Sequence, residues 1–406
     1  MKEIFLRELA DIQTGPFGSQ LHKEDYVENG TPIVTVEHLG NKDFSEQNLP
    51  RVSNSDKERL KKYVLKEGDI VFSRVGSVDR CSYVDKTHAG WMFSGRCLRV
   101  RPNTEIDSEY LYYYFCMDEI KEFVRNIAVG ATMPSINTKL LGEVTVRFPD
   151  LVQQKKIAGV LSAIDGKIKV NQKINDNLQK QLYEIYKTWY QDFLCIDNLT
   201  LIESPYGKIP QGWHYSMLGD LCKSVSVTHN FNTERLIFLN TGDVEDGMFL
   251  HSDYMAVADM PGQAKKTIMQ NDILYSEIRP INRHFAYVDF QADNYVVSTK
   301  LMVIRATSFD SRRLYHFLTL QDTLEELQMQ AESRSGTFPQ IRFENISKLP
   351  ILIADSNTET AFVTLLHAAY NQIEHNNSEN KKLSELRNSL LPQLMSGKID
   401  VSRIRL

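Results

Sequence analysis

Arg74, Ser77 and Arg80 follow the run "DIVFS", and Arg279, Asn282 and Arg283 follow "DILYS". Arginine can hold guanine O6 and N7 through two parallel hydrogen bonds, and asparagine or glutamine can do the same for adenine N6 and N7. Gln20, beside the turn "GPFGS", and Asn230 and Asn232 in "THNFNTE" add side chains of the same kind. Together they have the chemistry to read nucleic-acid base edges. Taken singly, each reads equally well as an ordinary solvated loop residue.

Catalytic equipment is missing from the short motifs. The chain has no GxxxxGKS/T phosphate loop and no glycine-rich strand-turn-helix fingerprint. It also lacks the Asn/Asp-Pro-Pro-aromatic tetrapeptide of amino-methyltransferases and a PD…ExK nuclease pattern. The five cysteines form no CxxC pair and the ten histidines no HExxH spacing, so neither a disulfide frame nor a metal site is expected. Hydrophobic content of 42% and charged content of 24% are those of a soluble globular protein. No run of about twenty apolar residues is present, so no membrane span is expected, and the N-terminus carries no signal-peptide pattern. A cytoplasmic protein with reduced thiols is the expectation.

Net charge is −5. A protein that grips DNA alone shows a basic surplus, because phosphate contacts supply most of the affinity. Either nucleic acid is not the ligand, or partner subunits supply most of those contacts.

The elements that must carry these loops occur twice. "GATMPSINTKLLGEVTVRFPD" at 130–150 returns as "SGTFPQIRFENISKLPILIAD" at 335–355. Thr132, Pro134 and Ile136 recur as Thr337, Pro339 and Ile341, an offset of 337 − 132 = 205. Asp69, Ile70 and Ser73 recur as Asp272, Ile273 and Ser276, an offset of 272 − 69 = 203. "LREL" at 6–9 resembles "LGDL" at 218–221. No solenoid has so long a period, so the pattern indicates two copies of one domain of short strands, turns and helices near 107–128 and 310–331.

Each copy is followed by a helical seam stepping by four and three. The first runs Leu161, Ile164, Ile168, Asn171, Asn175, Leu178, Leu182, Ile185, Trp189; the second runs Leu366, Ala369, Ile373, Asn376, Asn380, Leu383, Arg387, Leu390, Leu394. Asn171, Asn175, Asn376 and Asn380 are polar interruptions that would fix the register of an antiparallel pair, Asn171 facing Asn380 and Asn175 facing Asn376. Arg387 is the misfit, and Pro392 is expected to end or kink the second helix near Leu391. The divisions expected are a first copy at 1–150, a helix at 151–193, a linker at 194–213, a second copy at 214–355, a helix at 356–392 and a tail at 393–406.

"GATMPSI"/"SGTFPQI", "FPDLVQQKKIAGVLSAIDGKI" with its degenerate copy "IADSNTETAFVTLLHAAYNQI", "IPQGW" and "LLPQLMSGKIDV" resemble the specificity subunit of Type I restriction–modification enzymes. The resemblance covers the whole chain through the order and spacing of these segments. It implies an α+β fold: two β-rich target recognition domains separated by an antiparallel two-helix coiled coil, as a pseudo-two-fold internal repeat. It implies double-stranded DNA as ligand, each domain reading half of a split target while the helices space the domains and dock two modification subunits. It also implies restriction subunits that complete the complex. Cofactors are expected on those partners, S-adenosylmethionine for methylation and ATP with Mg for restriction, and none on this chain, which would have no catalytic residue. The alternative is a protein-binding scaffold without DNA readout. The copies also differ: "TETAF" at 358–362 replaces the basic "QQKKI", and Glu277 stands where the first copy has Arg74.

Overall fold

The computed structural model describes residues 1–402 apart from 17, 19, 41 and 335–337. Thr337 of the repeat therefore lies outside the described residues. The chain divides into two units, Met1–Lys173 with Asn376–Leu406, and Ile174–His375.

In the first unit the β-branched and aromatic run Ile70–Ser73 is buried along its whole length and forms an inner strand of a four-stranded antiparallel sheet. The order is Ala10–Thr14, Cys97–Pro102, Ile70–Ser73, Cys81–Tyr83. A second sheet joins Tyr26–Val27, Arg51–Val52, Thr31–Val34 and Met92–Phe93, the last two in parallel. Lys2–Phe5 pairs with Thr145–Phe148. Helix Ser108–Cys116 packs its tyrosines and Phe115 into the core, and Asp107 caps it by accepting the Tyr110 N–H at 3.0 Å.

The second unit repeats this plan. Its principal sheet runs Cys222–Val225, Leu301–Ala306, Ile273–Ser276, Phe285–Tyr287, the same order of the matching strands. His214–Met217 pairs with Pro350–Ile353, and Asp310 caps helix Ser311–Thr319. Each principal sheet is braced by a buried carboxylate. Asp69 takes two bonds from Arg101 at 2.7 Å each, and Asp272 takes two from Arg305 at 2.6 and 2.8 Å. A paired arginine fork offsets the desolvation of such a carboxylate.

Two helices of 40 residues, Leu151–Tyr190 and Ser356–Met395, follow the copies. No seam position named above is exposed. In the first unit Asn171 donates to Asn380 at 2.9 Å and to Glu379 at 2.7 Å, and Lys167 reaches Asn171 at 3.0 Å. The misfit Arg387 pairs with Asp165 at 2.7 Å, and the same carboxylate accepts the Tyr113 hydroxyl at 2.6 Å. The partners 171–380 and 165–387 run in opposite directions, so the helices are antiparallel there. Asn175 and Asn376 are both buried.

In the second unit the helices anchor the domain through a different set of groups. Arg313, fully buried, donates to Glu359 at 3.0 Å and to the Leu352 carbonyl at 3.3 Å, and Tyr190 donates to Glu359 at 2.7 Å. Tyr110 and Gln154 occupy the matching places in the first unit. Tyr110 donates to the Arg147 carbonyl at 2.9 Å, and Gln154 accepts the Asp107 N–H at 2.7 Å. A neutral anchor in one copy is an ionic one in the other.

Three expectations are corrected. The segment 194–213 contains a hairpin, Leu201–Ser204 with Gly207–Pro210, because its alternating residues pair across the Pro205–Tyr206 turn. The second helix passes Pro392 and continues to Met395, since Leu391, Leu394 and Met395 are buried in the first unit's core and outweigh one lost backbone bond. The helices expected as 107–128 and 310–331 are each broken, into Ser108–Cys116 and Asp118–Ile127, and into Ser311–Thr319 and Gln321–Arg334.

Asn171→Ala is expected to cost about 1–3 kcal/mol, as it strips polar partners inside a buried seam. Because Asn171 and Asn380 share one bond, the double alanine variant should cost less than the sum of the singles. Thermal midpoints of the four proteins test this double-mutant cycle. A second prediction concerns His316, whose Nδ1 meets the Tyr370 hydroxyl at 3.1 Å. Burial, and then the nearby Arg313 charge, push its pKa down from 6.5 to about 3. The unfolded chain therefore takes up a proton below about pH 6.5 that the folded one refuses, and stability falls as pH drops from there towards 3, by up to about 1.4 kcal/mol per pH unit. His316→Gln should flatten that slope in unfolding measured from pH 7 to pH 4.

Candidate nucleic-acid interface

In each unit the candidate side chains leave the same end of the principal sheet. In the first, strand Ala10–Thr14 ends beside Leu98, strand Ile70–Ser73 ends beside Cys97, and strand Cys81–Tyr83 starts beside Phe72. The loops holding Gln20, Arg74, Ser77 and Arg80 therefore emerge together. In the second, Val225 lies opposite Val303, Ser276 opposite Leu301, and Phe285 opposite Tyr275. The loops with Asn230, Asn232, Arg279, Asn282 and Arg283 emerge at the corresponding end. Both long helices join their domains from elements at the other end, as the Asp107–Gln154 bond after Pro102 illustrates.

Matching backbone hydrogen bonds tie down the loop after the Asp69 strand and the loop after the Asp272 strand. Arg74 N–H donates to the Arg96 carbonyl at 2.8 Å, and Glu277 N–H to the Lys300 carbonyl at 3.1 Å. The Thr-x-Pro turn then docks on the same loop. Gly76 N–H donates to the Pro134 carbonyl at 2.8 Å and Ile136 N–H to the Arg74 carbonyl at 2.9 Å. Their counterparts are Arg279 N–H to Pro339 at 3.2 Å and Ile341 N–H to Glu277 at 2.8 Å. The sequence repeat is thus a repeat of bonded geometry.

The candidates fall into two groups. Several are engaged within the protein. Gln20 accepts the Tyr63 hydroxyl at 2.8 Å, Arg74 donates to the Gly95 carbonyl at 3.1 Å, and Arg80 donates to the Leu39 carbonyl. Arg283 is paired with Asp246 at 2.6 Å. These side chains shape the loops they sit in. Ser77, Asn230, Asn232, Arg279 and Asn282 are exposed. Arg279 and Asn282 are brought together in one turn, where Asn282 N–H donates to the Arg279 carbonyl at 2.9 Å. Asn230 and Asn232 sit on a loop held instead to Ala264–Thr267, through His229 N–H to the Lys265 carbonyl at 2.7 Å.

Arg279 stands out among them. Its φ is +43°, in the left-handed region, where the first copy places Gly76 at φ +74°. A non-glycine residue there costs about 1–2 kcal/mol, and such strain persists where the surrounding bonds over-determine the backbone, as it does most often at functional sites. Only the backbone reveals this.

The residue reading missed Arg96 and Lys300, which occupy matching places beside the Arg74 and Glu277 loops and are both exposed. Lys300 lies 3.5 Å from Glu277. Their signal was available in the matched segments "FSGRCLRV" and "VSTKLMVI", at an offset of 300 − 96 = 204. Among the described residues no cluster of histidine, cysteine or acidic side chains could hold a metal ion, and all five cysteines are unpaired. No described helix is long and apolar enough to cross a membrane.

A substitution separates strain from function. Arg279→Gly removes the left-handed penalty but adds about 0.5–1 kcal/mol of unfolded-state entropy. The thermal midpoint should hold level or rise, whereas Arg283→Ala, which keeps that residue's left-handed φ of +60° and breaks the Asp246 pair, should lower it; differential scanning calorimetry reads both.

Comparison with known proteins follows the same division. A family model described as "Type I restriction modification DNA specificity domain" matches residues 1–180 and 210–385. The HindI specificity subunit of a Type I restriction enzyme from Haemophilus influenzae is 42% identical over 181 residues, 44% of this chain and 39% of that protein. The match thus spans about two-fifths of that relative's length. The MjaIX specificity subunit from Methanocaldococcus jannaschii is 25% identical over 312 residues, covering 75% of this chain and 72% of its own. The crystal structure of a Type I restriction–modification S subunit from M. genitalium aligns over 97% of this chain and 95% of its own, with a TM-score of 0.58 at 16% identity, a likeness of fold.

Proposed function

The chain belongs to the Type I restriction modification DNA specificity domain family and holds two copies of that domain, and from this we propose that it is the non-catalytic sequence-reading subunit of such a system. Each copy reads half of a bipartite DNA target with the loops at one end of its principal sheet. The long helices act as the spacing element and dock two modification subunits, with restriction subunits completing the assembly. S-adenosylmethionine, ATP and Mg act on those partners, as does extrusion of the target base.

One observation carries the reading. Three backbone bonds of the loop after each Asp69 or Asp272 strand recur in both copies, while the side chains presented differ: Arg74 against Glu277, Gly76 against Arg279, Arg80 against His284. A pair of readers with unlike half-targets needs that combination. A net charge of −5 fits a chain that shares phosphate contacts with partners.

Methylome sequencing of a host expressing this chain with matching modification subunits tests it. A split, asymmetric methyladenine motif is expected, and exchanging residues 1–150 for those of a relative should change one half only. A protein scaffold predicts no motif, and methylation without partners would make the chain an enzyme. Within the complex, Arg279→Ala should cost about 1–3 kcal/mol at one base position of the half read by the second domain and relax specificity there.

A further inference from the structure

The middle residue of each Thr-x-Pro turn is Met133 in one copy and Phe338 in the other, at the shared offset of 338 − 133 = 205. Both are large and apolar, and both face solvent, at 67% and 57% exposure. A single exposed apolar residue is ordinary on a protein surface. Two at the same place of a duplicated frame, after that frame's presented side chains have diverged, are not accounted for by a hydrophobic core, because neither belongs to one.

The turn that presents Met133 is held firmly. Residues 129 and 135 exchange backbone bonds at 2.9 and 2.8 Å around Met133, and Pro134 accepts from Gly76. Gly130 takes φ +110°, and a Cβ there would come within 2.7 Å of the Met133 carbonyl oxygen, so the turn closes tightly behind the tip. Phe338 precedes Pro339, whose carbonyl is bonded by the strained Arg279. Each tip therefore sits beside the loop that carries Arg74 and Ser77 in the first unit, or Arg279 and Asn282 in the second.

We propose that Met133 and Phe338 are base-contacting residues, pressing an apolar side chain onto the bases of the half-target read by their own unit. This rests on the reading of the protein as a DNA sequence reader and adds a contact class that charge and hydrogen bonding do not provide. Apolar side chains meet DNA usefully in two ways, against the thymine methyl or between base steps. Both engage bases and leave phosphates untouched.

The test uses the full chain assembled with its modification subunits, comparing Met133→Ser and Phe338→Ser with Met133→Leu and Phe338→Leu. Each serine variant should slow methylation of the cognate duplex about tenfold or more and tolerate base changes in one half only. The dependence of binding on salt should not change, since no ion is released at an apolar contact. The leucine variants should keep most of the activity. Serine variants that methylate the same motif at the wild-type rate overturn the proposal. So do serine variants that fail to assemble with the modification subunits, which would make the tips protein-docking points. If the unaltered complex produces no split motif, it is the underlying reading that has failed.

Discussion

The structure depends on a set of backbone hydrogen bonds at one end of each principal sheet. The strand after Asp69 or Asp272 ends in a loop whose first N–H binds the loop of the neighbouring strand and whose next groups receive the Thr-x-Pro turn. Because the bonds are made by main-chain atoms, they constrain the path of the loop and leave its side chains open to change. Glu277 in place of Arg74 keeps both bonds. Such a frame lets a presented surface vary without refolding, which a reader of DNA sequence requires.

The attachment of each domain to the long helices obeys a different rule. There the bonds run through side chains, and they have diverged as matched sets. Tyr110 with Gln154 in one copy corresponds to Arg313 with Glu359 in the other, and both reach the same carbonyl position, Arg147 or Leu352. A change of one partner alone would leave a buried charge unpaired, at roughly 3–5 kcal/mol. The pair must change together, so each domain is matched to its own helix ends.

The helix seam shows how polar groups specify an arrangement. Asn171 satisfies its amide on Asn380 and Glu379, and a shift by one heptad would strand it. Arg387, which interrupts the apolar pattern, finds Asp165, and Asp165 in turn holds Tyr113 of the domain core. Helix pairing and domain docking in the first unit therefore share one carboxylate. This joined network fixes the register of the helices, while the apolar burial around it supplies the driving force.

Much of this was legible in residue order. The duplicated "GDIVFS" and Thr-x-Pro segments mark strands and turns whose spacing is preserved, since a buried alternating run admits one pairing register. The seam with its asparagines was readable because heptad stepping is a local property of the helix. The hairpin at 201–210 was hidden by its two prolines and its glycine, and the run through Pro392 by tertiary burial that no local propensity reports. At the site, residue types alone nominated Arg74, Arg80, Arg279 and Arg283 equally. Only the folded chain separates them, because whether an arginine reaches a carbonyl, as Arg80 does, or an aspartate, as Arg283 does, is decided by distant backbone. Sequence by itself determined the repeat, its strands and the seam, which follow from short-range periodicity. Tertiary structure decided which side chains face outward, because exposure depends on every segment packed nearby.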